Sequence, residues 1–181
     1  MNATPDQLSY VISLDELFWG GMLVAITMAM HGFGMLGILR ITNHLKQRFE
    51  RKTGFVSGLF ILILSSWMIL LVHLTEVMVW AAFFLWKGAF PNHSVAYYFS
   101  LNEYTTVGSN FSLPQHWRLL EGMIATAGLL TFAWSTGILL TLAQEFQDQQ
   151  LQLLKQRREK RHKPGDGPQL QPSAARSPEK L

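Results

Sequence analysis

Hydrophobic positions along the chain gather into three long blocks and leave the last quarter almost wholly polar. The first block, residues 17–40, is long enough at ~1.5 Å per residue to cross a ~30 Å hydrocarbon core as a helix. The second, residues 55–86, exceeds the roughly 20 residues that a span needs, so it must tilt or project beyond the bilayer. The third covers residues 117–143. Within the connection between the last two, Val95-Ala96-Tyr97-Tyr98-Phe99-Ser100 is too apolar and aromatic for an ordinary exposed loop. It is also too short to cross a membrane. The pattern predicts an all-α membrane protein: three transmembrane helices, with a short helix over 95–105 that dips in from one side and an extended return over 106–110.

The placement of charge gives this arrangement a direction. Residues 40–52 carry five basic side chains and residues 155–163 carry six, whereas the segment before Arg40 has acids (Asp6, Asp15, Glu16) and no base. Only Lys87 lies in the stretch leading from the second block up to Arg118. The positive-inside rule then puts residues 1–16 and the 87–116 connection outside, and the 41–54 loop and the C-terminus in the cytoplasm. Trp80, Trp86 and Trp117 are expected near the outer interface, where the indole ring prefers to sit. Without a basic n-region the first block does not read as a cleaved signal peptide, so it is expected to remain. The chain has no cysteine, which excludes disulfides and thiolate metal sites.

Irregular backbone at membrane depth is tolerated only where protein buries it or a water-filled cavity adjoins it. Three spans cannot enclose such a cavity, but copies around an axis can, so a cyclic homotetramer is expected. The segment at issue is Glu103-Tyr104-Thr105-Thr106-Val107-Gly108-Ser109-Asn110. Together with Trp117-Arg118-Leu119-Leu120 and the third block with Gly128 and Gly137, it resembles the pore-loop potassium-channel superfamily, in particular small bacterial members of the two-pore-helix type. The resemblance covers about 55–143 and leaves 17–40 as an extra helix.

That resemblance implies a channel for monovalent cations in a bacterial inner membrane. Thr105 would end the pore helix, and Thr106, Val107 and Gly108 would offer carbonyls to a permeant K+ or Na+. Gly128 would be a bending point in the inner helix. Ser109 and Asn110 stand where the family has Tyr-Gly, and Phe111 lies where an acid usually follows. Potassium preference is therefore expected to be reduced, with Asn110 taking up a glycine-like positive φ at some steric cost. The alternative is a non-conducting, channel-like subunit with a structural or regulatory role.

Other polar residues admit plainer readings. His73 and Glu76 share one helix face at i, i+3. Counted from Phe55, Glu76 lies ~32 Å along the helix, which suggests an interfacial anchor paired with Arg118; the sharper reading is a proton or ion relay. His31 and His73 come out at different depths, which opposes joint ligation of a haem iron, and His31 is left to a local partner. The small-residue stripe Gly21, Ala25, Ala29 is assigned to docking the first helix. Residues 144–163 continue the third helix, and the basic run beginning Lys155 and ending Lys163 suits anionic lipid or acts as a plain stop signal. Its position beside a span argues against nucleic acid. Residues 164–181 read as a disordered tail. No catalytic motif is present, so an enzyme is not expected, nor a cofactor beyond the permeant ion.

Overall fold

A computed structural model describes residues 11–49 and 55–162. The predicted N-terminal segment up to residue 10, the end of the basic loop at 50–54 and the tail from Lys163 lie outside the described residues. Within them the chain is helical, with no strand: α1 (Leu14–Phe49), α2 (Phe55–Trp86), α3 (His93–Tyr104), a single 3-10 turn (Gln115–Trp117) and α4 (Leu119–His162). Three helices, α1, α2 and α4, are long and apolar enough to cross a membrane. The chain divides into two compact units, residues 1–146 and 147–181. The first holds the core; in the second, the described side chains are exposed apart from the half-buried Gln150 and Leu153.

Local chemistry sets the start of α1. Ser13 and Glu16 form a capping box: the Glu16 N–H donates to Ser13 Oγ (3.1 Å) and the Ser13 N–H donates to Glu16 Oε2 (3.1 Å). The other carboxylate oxygen accepts from the Leu119 N–H at 3.2 Å, satisfying a donor at the start of α4. One buried glutamate thus ties two helix N-termini together.

The face by which α1 docks is polar as well as apolar. Glu16, Leu23, Thr27, His31, Met35, Ile38 and Thr42 are buried at spacings of three, four and seven, one stripe of a helix. Trp80 Nε1–H donates to Thr27 Oγ1 (3.0 Å), and Thr42 and Ser65 join their hydroxyls at 2.9 Å. Gly34 lets α1 approach α2, because a Cβ there would stand 2.9 Å from a Val72 methyl. The stripe Gly21, Ala25, Ala29 is not the docking face: all three residues are exposed, and a Cβ on Gly21 would meet open space. Small size licenses close packing, but here hydrogen-bonding side chains two residues along, Thr27 and His31, fix the rotation of α1 and turn the small residues away.

Aromatic packing fills one end of this bundle. Trp19, Phe83, Trp86 and Trp117 gather around Lys87, whose Nζ lies 4.1 Å from the Trp19 ring centre and 4.2 Å from that of Trp86. Trp80 differs from the expectation of an interfacial anchor. It is fully buried, and its N–H is used within the core.

Candidate functional site

Helix α3 begins with Asn92 accepting from the Val95 N–H (2.9 Å). It ends at Thr105, whose hydroxyl donates to Leu101 O at 2.8 Å. The next residues close a Schellman motif, in which Thr106 N–H donates to Glu103 O (3.0 Å) and Val107 N–H to Asn102 O (2.9 Å). This motif needs a left-handed residue after the cap, usually glycine, and Thr106 fills it with φ 61°. A β-branched residue is a genuine outlier there, at a cost on the order of 1–3 kcal/mol. Gly108 is left-handed too (φ 79°), and Val107 between them is 76% exposed.

The following residues are braced in a way the sequence reading missed. Ser109 N–H donates to Glu103 Oε1 (2.9 Å), Phe111 N–H to Ser109 Oγ (3.0 Å) and Leu113 N–H to Glu121 Oε1 (2.8 Å). The Phe111 ring stands edge-on to Tyr98 of α3, with centres 6.2 Å apart. Asn110 does not take the positive φ expected of it, since among non-glycine residues described only Thr106 does. The left-handed turn comes four residues earlier, where the helix has to stop.

Tyr104, the last residue of α3, connects this segment to a buried polar ring. Its hydroxyl donates to Glu76 Oε2 and lies 2.8 Å from His73 Nδ1 and 2.6 Å from Thr131 Oγ1. His73 Nε2 meets Ser135 Oγ at 2.9 Å, Ser135 Oγ meets His31 Nε2 at 3.2 Å, and His31 Nδ1 meets Glu76 Oε1 at 2.9 Å. Five side chains from all four helices therefore close a circle. All are at least 95% buried, and Glu76 and His31 are completely so.

Proton counting explains why burial is tolerable. One consistent set of donors has Tyr104 O–H donating to Glu76, His73 Nδ1–H to the Tyr104 oxygen, Ser135 O–H to His73 Nε2, and His31 Nε2–H to the Ser135 oxygen. With one further proton shared between His31 Nδ1 and Glu76 Oε1, that set is neutral and gives each of these ring atoms a partner. An unpaired carboxylate at the same place would cost several kcal/mol at the least.

This geometry corrects the reading of Glu76. Its partners are His31, His73 and Tyr104, whereas Arg118 is exposed and the neighbouring Leu119 N–H is met by Glu16. The depth count fails because α2, with 32 residues, is ~48 Å long, more than a bilayer core. Measured from Trp86 and Leu14, His73 and His31 are at comparable depth, and their rings stand 5.2 Å apart. His31 accordingly finds its carboxylate 45 residues away, not locally. Gly128 has a packing role: a Cβ there would collide with the Tyr104 carbonyl oxygen and stand 2.9 Å from its carbon. Helix α4 runs through this position without a break.

The chain matches no protein-family profile, no curated protein and no solved structure.

Proposed function

We propose that the protein is a homotetrameric cation channel of a bacterial inner membrane, with its N-terminus outside, which passes monovalent cations with reduced preference for potassium. The observation that carries this reading is the strained left-handed Thr106 at the end of a short helix between two potential spans. Backbone strain persists where the surroundings enforce it and clusters at functional sites. Left-handed residues at 106 and 108 flank an exposed Val107, a short irregular segment that in one chain lacks cover. Neighbouring copies would supply that cover and place carbonyls around a common axis. The neutral ring then serves as a rigid support for Tyr104, and so for the segment that follows it.

Ion flux from proteoliposomes, with the particle mass measured in the same preparation, tests the proposal. Conduction by a tetramer supports it. A tetramer without flux would favour the structural or regulatory alternative, which the self-contained hydrogen bonding of Val107 and Ser109 also accommodates. A conducting monomer would remove both readings, and an inert monomer would remove the channel.

A further inference from the structure

The two histidines of the ring are arranged alike. Both turn Nδ1 toward the Glu76 carboxylate, at 2.9 Å for His31 and 3.6 Å for His73. Both turn Nε2 toward one hydroxyl, that of Ser135, at 3.2 and 2.9 Å. Ligating imidazoles show this pattern, with one nitrogen on the ion and the other anchored by an acceptor that fixes the tautomer. We propose that His31, His73, Glu76 and Tyr104 form a binding site for a divalent transition-metal ion of the zinc class, with Ser135 anchoring both imidazoles.

The dimensions suit such an ion. Donor atoms at 2.0–2.2 Å around a tetrahedral ion lie roughly 3.3–3.5 Å from one another. The separations between Glu76 and each histidine, and the 2.8 Å from His73 Nδ1 to the Tyr104 oxygen, fall on either side of that value. One ligand atom from each of His31, His73 and Glu76 falls within 4.8 Å of the others, so small side-chain rotations suffice. Two imidazoles with two oxygens favour zinc and its neighbours over magnesium or calcium, which take oxygen ligands.

Charge balance selects the fourth ligand. The metal-free ring is neutral and holds five protons. With the ion on both Nδ1 atoms, the proton of His73 Nδ1 moves to Nε2, so that His31 and His73 both donate Nε2–H to the Ser135 oxygen while Ser135 keeps its own proton. Two protons have left, one from the His31–Glu76 bridge and one from the Tyr104 hydroxyl. Carboxylate and phenolate together cancel the divalent charge, and the buried site is neutral again. With Tyr104 left as a phenol, a net positive charge would stand in a dry bundle, which is costly.

The inference does not depend on ion conduction and is tested without it. The full chain is purified from zinc-supplemented cells, its metal content measured by elemental mass spectrometry, and cobalt(II) substituted for optical spectroscopy. The expected result is about one zinc per chain and the strong visible bands of four-coordinate cobalt. The His31→Asn/His73→Asn double variant should hold less than a tenth of that metal. Ser135→Ala should weaken binding by about 10–100-fold, the range for supporting groups, and Tyr104→Phe, which removes a ligand, by at least as much. Should the double variant fail to fold, the wild type alone decides, since zinc supplied during refolding must raise its Tm relative to refolding with chelator. Protein that carries no zinc and gains no Tm from it overturns the proposal. So does zinc retained in a folded double variant, because the ion would then sit on other histidines such as His44, His93 or His116.

Discussion

The carbonyl of Tyr104 rests directly on the Cα of Gly128, leaving no room for a side chain between α3 and α4. The obstacle is backbone on one side and a helix on the other, so neither can move aside as a flexible side chain would. Gly128→Ala should therefore destabilise the folded chain by about 1–3 kcal/mol or more, despite alanine's better helix propensity. Thermal unfolding in detergent checks this. A protein of unchanged Tm with altered opening would instead restore the hinge role for Gly128.

Thr106 stores strain that glycine would not. Thr106→Gly should raise stability by about 1 kcal/mol, because the Schellman motif then receives the residue it favours. If the segment conducts, the same change removes a hydroxyl from the ion path and lowers flux. Higher Tm with lower flux is the expected pair. A lower Tm would mean that Thr106 is not left-handed in the assembled protein.

The docking rotation of α1 separates two neighbouring classes of glycine. Gly34→Ala pushes a methyl against the stiff, β-branched Val72 and should cost about 1–3 kcal/mol, whereas Gly21→Ala meets open space and should be neutral or slightly stabilising. Comparison of the two Tm values reads the rotation directly. The opposite order would return docking to the Gly21, Ala25, Ala29 stripe.

Glu103 braces the residues beyond Gly108 through the Ser109 N–H. A glutamine retains an acceptor oxygen at the same reach, and an alanine does not. Hydrogen exchange at Ser109 should accelerate strongly in Glu103→Ala and little in Glu103→Gln, with the change confined to residues near 109–111. Equal acceleration in both variants would show that the carboxylate's charge, not its geometry, holds the segment.

Much of this architecture is legible in the sequence, because long apolar blocks have few outcomes other than long helices. The end of α3 is also legible, since Thr105 and Thr106 stand where the apolar pattern of 95–100 gives way to Gly108. The ring was not legible as a unit. Its members lie between residues 31 and 135, on four helices, and their meeting depends on the rotation of each helix about its axis. Traces of it are present nonetheless: Thr27 and His31, His73 and Glu76, and Thr131 and Ser135 each recur at helical spacing, a polar stripe on each of three apolar helices. Reading depth from Phe55 concealed the convergence, because α2 is longer than the layer it was measured against. Glu103 was counted as part of a motif, although its side chain works six residues downstream.

A reversal potential is the most direct measurement of the proposed conduction of monovalent cations through residues 106–110. Purified protein in a planar bilayer, with potassium on one side and sodium on the other, should carry current that reverses only modestly away from zero toward the potassium side. That result requires both ions to pass, as the proposed carbonyl sites at Thr106, Val107 and Gly108 would allow without the Tyr-Gly of a potassium-channel filter. No current at all, or a reversal at the value for pure potassium permeability, would contradict the account.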